Sequence, residues 1–308
     1  MHTDFYFPSS GKGMIHGCRW EPEGTPRAVL QIVHGVAEHA ARYDEFASYL
    51  AKQGFLVVAE DHMGHGQSIG NQGVQGYFDG GWFKAVADCH RLLSYTRMEH
   101  PHLPYILLGH SMGSFMVRTM LAKYPQLDIS AAIISGTAWM HSAVINTAHA
   151  AASVACKTDG ADKPSKVLTG MMFSGNNRKV EHKRTEFDWL TRDDACVDAY
   201  IADPLCGFAV TPGLVRDMMS GLRYIQSSEQ LRKMRKDLPV LFISGSDDPV
   251  GGYGAGVTKA WKEFQKAGMQ RCALRLYPLC RHELLNEINK FEVYEYILQW
   301  LHQQKLMG

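Results

Sequence analysis

Ser111 stands in the run Gly109-His110-Ser111-Met112-Gly113, directly after the apolar stretch Tyr105-Ile106-Leu107-Leu108 and directly before a helical pattern that ends near Pro125. A serine between a strand and a helix, with glycines two residues to either side, is the pattern of a nucleophile elbow. The strained turn holds the backbone where few residues go, and the glycines leave room for the chain to double back. The hydroxyl then projects from the edge of a sheet. The five-residue pattern alone turns up by accident, so the flanking strand and helix carry the inference.

A serine hydroxyl is a poor nucleophile until a base takes its proton, so a histidine has to accompany it. In sites built on such an elbow the chain order is serine, acid, histidine. Past the last strand-end carboxylates only His282 and His302 remain, and His302 falls in a terminal helical pattern beside Trp300 and Leu301, where a surface position is natural. His282 follows the apolar run Ala273 to Tyr277 through Pro278-Leu279-Cys280-Arg281, which places it at the C-terminal edge of a sheet. The acid is expected after Val240 to Ser244, in the turn Gly245-Ser246-Asp247-Asp248-Pro249-Val250. Position in the turn favours Asp248, with Asp247 as the alternative, since one can orient the imidazole while its neighbour caps the turn.

Acyl transfer also needs donors aimed at the developing oxyanion. One is the backbone N–H of the residue after the nucleophile, Met112, and the other comes from an earlier loop. His34-Gly35-Val36 follows the apolar run Ala28 to Val33, which makes the Val36 N–H the second candidate. His34 reads as a loop anchor, and Asp61-His62-Met63-Gly64-His65-Gly66-Gln67-Ser68 as a tightly turned loop near the site. His62 and His65 have a spacing that metal ligands also use, but the glycines beside them explain it as turn geometry, and no metal is expected.

The elements that must position these residues are short runs with helical patterns between them: Ala28 to Val33, Phe55 to Ala59, Tyr105 to Leu108, Ala131 to Ser135, Val240 to Ser244 and Ala273 to Tyr277. Their near-continuous apolar character predicts strands covered on both faces, hence an α/β class with a mostly parallel, doubly wound sheet. Between Trp139 and Ser228 no strand-like run occurs, and short helical patterns are broken by glycines and prolines. The expected organisation is a core of residues 1–138 and 229–308 with an inserted helical cap at 139–228. The cap's apolar run Val167, Leu168, Met171, Met172 and Phe173 needs a surface to cover, and the mouth of the site is the natural one. An amphipathic helix is expected around Phe291 to His302.

Composition narrows the partners. The 308 residues carry 32 lysines and arginines against 31 acids, a formal charge of +1, which argues against nucleic acid and against an anionic membrane surface. The seven cysteines are an odd count without metal-type spacing, as expected of reduced thiols in the cytoplasm. The N-terminal Met1-His2-Thr3-Asp4-Phe5 lacks a basic region followed by an apolar one, so export is not expected. The small-residue run Ala143 to Ala155 is too short for a membrane span and contains Asn146 and His149. Nothing calls for an obligate protein partner, whereas peripheral membrane contact through the apolar run of the cap is open to the chain.

The set His34-Gly35-Val36-Ala37-Glu38-His39 with Arg42-Tyr43, Asp61-His62-x-Gly64-His65-Gly66-x-Ser68, Gly109-His110-Ser111-Met112-Gly113, the aspartate turn and Arg281-His282-Glu283 resembles the monoacylglycerol lipase and lysophospholipase branch of the α/β-hydrolases. The resemblance covers most of the core and is weakest in the cap, which selects substrate. It implies the α/β-hydrolase fold, a triad of Ser111, Asp248 and His282, and oxyanion donors at Val36 and Met112. Phe187-Asp188-Trp189-Leu190-Thr191-Arg192-Asp193 resembles segments of bacterial members. The expected activity is cofactor-independent hydrolysis of a small-molecule fatty-acyl ester, a monoacylglycerol first and a lysophospholipid second, through an acyl-enzyme on Ser111. A peptidase related to proline iminopeptidases is the rival from another class. It would need a carboxylate for the substrate's amino terminus, and Glu181, Glu186, Asp188, Asp193 and Asp194 are the available acids in the cap.

Overall fold

The structure is a computed structural model that describes residues 2–69 and 73–306; Met1, Met307 and Gly308, which the expected core boundaries include, lie outside them. Its strands are β1 (His2–Pro8), β2 (Met14–Trp20), β3 (Ala28–Val33), β4 (Phe55–Glu60), β5 (Tyr105–His110), β6 (Ala131–Ser135), β7 (Val240–Gly245) and β8 (Cys272–Tyr277). They form one sheet in the order β1-β2-β4-β3-β5-β6-β7-β8. β1, β2 and β4 pair antiparallel in turn, and every pairing from β4 to β8 is parallel. All six expected strands are present.

Alternate residues of the central strands feed two opposite cores. Leu30, Ile32, Val57, Ile106, Leu108 and Ile133 pack with the helices α1 (Asp44–Lys52) and α10 (Lys290–Gln303). Val29, Val33, Val58, Leu107, Ile134 and Phe242 pack on the other face with α2 (Trp82–Glu99), α3 (Met112–Lys123) and α9 (Ala255–Lys266). Residues of β3 to β7 are therefore buried throughout, which is why their sequences are apolar without alternation.

From Ser135 to Val240 no strand occurs among the described residues; the connection is helical, with α4 (Ser142–Ala155), α5 (Lys166–Phe173), α6 (Asp194–Ala202), α7 (Pro212–Ile225) and α8 (Ser228–Lys233). The starts of α5, α6 and α7 carry side-chain caps that satisfy otherwise unpaired first-turn amides. Ser165 accepts from Leu168 N, Asp193 from Ala195 N and Cys196 N, and Thr211 from Leu214 N just ahead of Pro212 at the first helical position. In the run Val167 to Phe173, Leu168 is buried and Met172 and Phe173 are half-buried, while Val167 and Met171 face solvent. No helix among the described residues is long and apolar enough to cross a membrane.

Candidate active site

The order of strands reverses around β3, which has β4 on one side and β5 on the other, and ligands of open α/β sheets bind beyond the strand C-termini at such a switch. The loop after β3 carries Val36, and β5 runs into Ser111. Ser111 itself has φ 52° and ψ −120°, a strained conformation for a residue with a side chain. It is held by Ser111 N donating to Ser135 O at 3.0 Å and by Ser114 N donating to Ser111 O at 2.9 Å. The flanking glycines are a steric necessity. A Cβ on Gly109 would lie 2.5 Å from Gly113 O, and one on Gly113 would lie 1.9 Å from Val33 O. Met112 opens α3, so its N–H has no carbonyl one turn earlier in the helix to bond.

Asp248 and His282 leave the ends of β7 and β8. His282 Nδ1 lies 2.9 Å from Asp248 Oδ1, and both side chains are buried. An ionised carboxylate only accepts, so Nδ1 carries the proton and Nε2 presents a lone pair. Asp248 is fixed further by Ser244 Oγ donating to Oδ2 at 3.1 Å and Val250 N donating to Oδ1 at 2.9 Å. Burial pushes its carboxyl upward, but the His282 ring, the Gly251 amide and the Ser244 hydroxyl outweigh burial and hold it below the usual range. Asp247 is exposed and accepts from Ser246 Oγ.

The segment Phe187 to Arg192 braces the histidine loop. Trp189 O accepts from His282 N at 3.4 Å, Leu190 O accepts from Glu283 N at 2.7 Å, and Arg281 donates to Asp188 O and Thr191 O. The Trp189 ring lies 5.2 Å from that of His282.

Beneath the site lies a charged network to which sequence reasoning gave no role. Glu38 accepts from Gly35 N, Tyr43 OH and His110 Nδ1, and from Arg42, which reaches across to Glu283 with two bonds of 2.7 and 2.8 Å. His110 Nε2 lies 3.3 Å from His282 O. Both ring nitrogens of His110 therefore face acceptors, which favours the imidazolium. Burial alone would lower the His110 pKa, but the Glu38 carboxylate more than reverses this and raises it. Glu38 and Glu283 are held low against the same burial, Glu38 first by His110 and then by Arg42, and Glu283 by Arg42. The network ties together the loop of Val36, the elbow and the loop of His282.

The other sequence candidates are structural. His34 Nδ1 bonds Gly35 O at 2.7 Å and His34 Nε2 accepts from His62 N at 3.0 Å, so this histidine anchors its loop. Asp61 accepts from Ala40 N, Gln67 N and the His16 ring, as a turn organiser does. His62 bonds His34 O and His65 bonds Met63 O. Among the described residues, three groups of side chains have ligand-type atoms within 4.8 Å of one another, His2/Asp4/Cys18, His39/Asp203/Cys206 and Glu60/His62/Cys89; the last includes His62 but not His65, and none includes Ser111, Asp248 or His282. His302 is exposed on α10.

A cavity of about 1360 Å³ opens over the elbow. Val36, Ser111, Met112 and His282 line it, and Asp248 stands behind His282. Phe115, Met140, Leu168, Met172, Val215 and Met219 give it an apolar wall, while Asn176, Asn177, Lys183, Thr185 and Glu186 add polar groups from the helical connection between β6 and β7. The arrangement can attack an acyl carbon and receive a long apolar chain.

The chain belongs to the serine aminopeptidase S33 family, whose model matches residues 24–289. Within it, the chain is a serine ester hydrolase of the α/β-hydrolase fold, in the monoacylglycerol lipase-like branch. It is 32% identical over 285 residues to a monoacylglycerol lipase of Mycolicibacterium smegmatis, covering 92% of this chain and 90% of the relative. It is 28% identical over 292 residues to the human monoglyceride lipase, covering 93% and 86%. A highly thermostable carboxyl esterase from Bacillus coagulans, solved with glycerol, superposes with a TM-score of 0.90 at 26% identity and covers 98% of both chains.

Proposed function

We propose that Ser111, Asp248 and His282 form the catalytic triad, that Val36 N–H and Met112 N–H form the oxyanion hole, and that the substrate is a monoacylglycerol. His282 Nε2 takes the Ser111 proton as Oγ attacks the ester carbonyl, and the two amides stabilise the tetrahedral oxyanion. The C–O bond to glycerol breaks as His282 returns the proton to the leaving oxygen. Water activated by His282 then releases the fatty acid from Ser111. Asp248 keeps the imidazole in the required tautomer throughout. The observation that carries the reading is an elbow serine and an Asp248-oriented histidine opening on a cavity with a predominantly apolar wall. The names of the relatives support the glycerol ester over other head groups.

The peptidase reading needs a free carboxylate at the site. Of the cap acids, Asp188 is occupied by Arg184 N, Thr185 N and Thr185 Oγ1, Asp193 caps α6, and Asp194 pairs with Arg184. Only Glu186 among these five lines the cavity. What favours the ester reading is the predominantly apolar wall and the lipase and esterase relatives.

We further propose that residues 139–228 act as the substrate-selecting cap on a core of 1–138 and 229–308. The exposed Val144, Val167 and Met171 suit the cap to peripheral contact with a lipid surface, and the seven free thiols suit the chain to the cytoplasm. The test compares hydrolysis of a monoacylglycerol, lysophosphatidylcholine and an aminoacyl amide by wild type and Ser111→Ala, with a fluorophosphonate label on the nucleophile. Dominant monoacylglycerol turnover, lost in the variant, together with a label on Ser111 is expected. Turnover of another class alone would sink the substrate assignment, and a label elsewhere would sink the triad.

A further inference from the structure

Glu60 closes β4, His62 lies two residues further on, and Cys89 comes from α2; a carboxylate oxygen, a ring nitrogen and the thiol sulfur meet within 4.8 Å of one another. All three residues are buried. His62 Nε2 lies 2.9 Å from His34 O, and since a carbonyl only accepts, Nε2 carries a proton. In the neutral ring Nδ1 is then a bare lone pair. It lies 3.3 Å from Glu60 Oε1, which in an ionised carboxylate is also an acceptor. Neither Nδ1 nor Oε1 has a hydrogen-bond partner among the described residues. Buried polar atoms are normally paired, so two orphaned acceptors facing each other call for a positive charge between them.

A proton is the simplest such charge, but the geometry is against it. A hydrogen bond needs its proton near the line joining the heavy atoms, and this pair is close enough for one without being aligned for it. A tetrahedral ion sits off that line. With bonds of about 2.0 to 2.2 Å, zinc holds a nitrogen and an oxygen ligand about 3.3 to 3.5 Å apart. Cys89 Sγ donates to Ala85 O at 3.4 Å, and burial first, then the Glu60 carboxylate, push its thiol up, so the proton leaves only when an ion displaces it. Zinc with one carboxylate and one thiolate makes a neutral set, which suits an apolar interior.

The surroundings are of the kind that hold metal ligands. A ligating histidine normally has its second ring nitrogen fixed by a carbonyl or a carboxylate, as His62 has in His34 O. Gln31 steadies the other two ligands, its Nε2 donating to Glu60 Oε2 at 3.3 Å and to Cys89 O at 2.9 Å while its Oε1 accepts from Tyr105 OH at 2.8 Å. The His62 ring also stacks at 3.8 Å on that of His34, the anchor of the loop that carries Val36.

We propose that Glu60 Oε1, His62 Nδ1 and Cys89 Sγ bind one zinc ion as a structural site, which ties β4, the loop after it and α2 together and takes no part in ester hydrolysis.

The test uses the full chain without an affinity tag, produced in zinc-supplemented medium and dialysed against EDTA. Elemental analysis is expected to find about one zinc per chain, released when the protein is unfolded. Protein produced with cobalt instead is expected to show thiolate-to-cobalt charge-transfer absorption and the visible bands of a tetrahedral ion. Glu60→Gln separates an ion from a proton, because the amide can donate to His62 Nδ1. The variant is expected to lose the metal and to unfold at a lower urea concentration than wild type. Wild type without zinc overturns the site, and a Glu60→Gln chain as stable as wild type does so in favour of a shared proton. Zinc retained by both Glu60→Gln and Cys89→Ser overturns it by placing the ion elsewhere. The cobalt spectrum needs no variant to fold: without the charge-transfer band no cysteine is a ligand, and the site falls.

Discussion

Asp247 and Asp248 are chemically identical neighbours, and only their surroundings separate them. Asp248 is fully buried with three protein donors on its oxygens, whereas Asp247 is exposed. An amide at 248 would present Nδ2 or a weaker acceptor to His282 and favour the wrong tautomer. Asp248→Asn is therefore expected to lower kcat by about 10⁴-fold with the fold retained, as in other triads, while Asp247→Asn stays within about twofold because it touches neither partner. Steady-state kinetics on one soluble ester reads both, and equal effects would contradict the assignment. The sequence places both residues in one turn, and strand register together with the turn's backbone decides which faces His282. The positions of Ser111 at the strand-to-helix turn and of His282 after the last strand were legible because local spacing and chain order encode them. Glu38, Arg42 and Glu283 were not, since Arg42 and Glu283 are 241 residues apart and nothing local connects them.

At the scale of elements, burial on both faces made the inner strands readable; β1 lacks it, and β2, though largely buried, breaks its apolar run with His16, Gly17 and Arg19. β1 and β2 form an antiparallel edge whose first strand is largely exposed, and in His2–Pro8 the three aromatics Phe5, Tyr6 and Phe7 follow three polar residues and stop at Pro8, too short a run to announce a strand. The helical insertion was readable from its broken pattern, but its division of labour was not. α7 buries Leu214, Val215, Met218, Met219 and Leu222 in the same cluster as β3, α2 and α3, while a separate small cluster holds Trp189, Leu190, Tyr200 and Cys206. A Cβ on Gly221 would lie 2.2 Å from the Trp82 ring, so α7 sits tightly against α2. α5 differs: Val167, 74% exposed, projects from the helix away from the cavity wall, of which its neighbours Leu168 and Met172 are part. An apolar residue so exposed beside the mouth suits contact with a lipid surface. Val167→Asp is expected to reduce co-sedimentation with neutral phospholipid vesicles several-fold, since a carboxylate is costly to bring into the interface, and to leave hydrolysis of a soluble short-chain ester unchanged. Unaltered sedimentation would remove α5 from any membrane role.

Across the whole molecule, the loops that follow β3, β5 and β8 meet in one buried set of two cations, Arg42 and His110, and two anions, Glu38 and Glu283. The charges cancel, and the set spans the sheet where the site is assembled, so folding stability and site geometry share one proton. In the folded chain Glu38 raises the His110 pKa against burial, whereas an unfolded histidine releases its proton near pH 6.5. Below that value both states carry the proton and the full contribution of the pair is present. As pH rises, the unfolded state loses the proton first, the folded state binds more protons, and stability falls until the folded pKa is passed. His34 and His65 act oppositely: burial lowers both, His65 to about 3, so their contribution is lost on the acid side. Wild-type stability alone therefore mixes the two trends, and a difference isolates His110, because His34 and His65 are common to both proteins. His110→Asn leaves Glu38 with Arg42 as its one remaining buried cationic partner, a loss of at most about 3 to 5 kcal/mol by analogy with broken buried pairs. Urea unfolding of wild type and variant between pH 6 and pH 9 is expected to show that gap at its widest at the acid end and narrowing steadily toward the alkaline end. A gap that is constant or grows with pH would mean that His110 is neutral in the folded chain and that the three loops are joined by Arg42 alone.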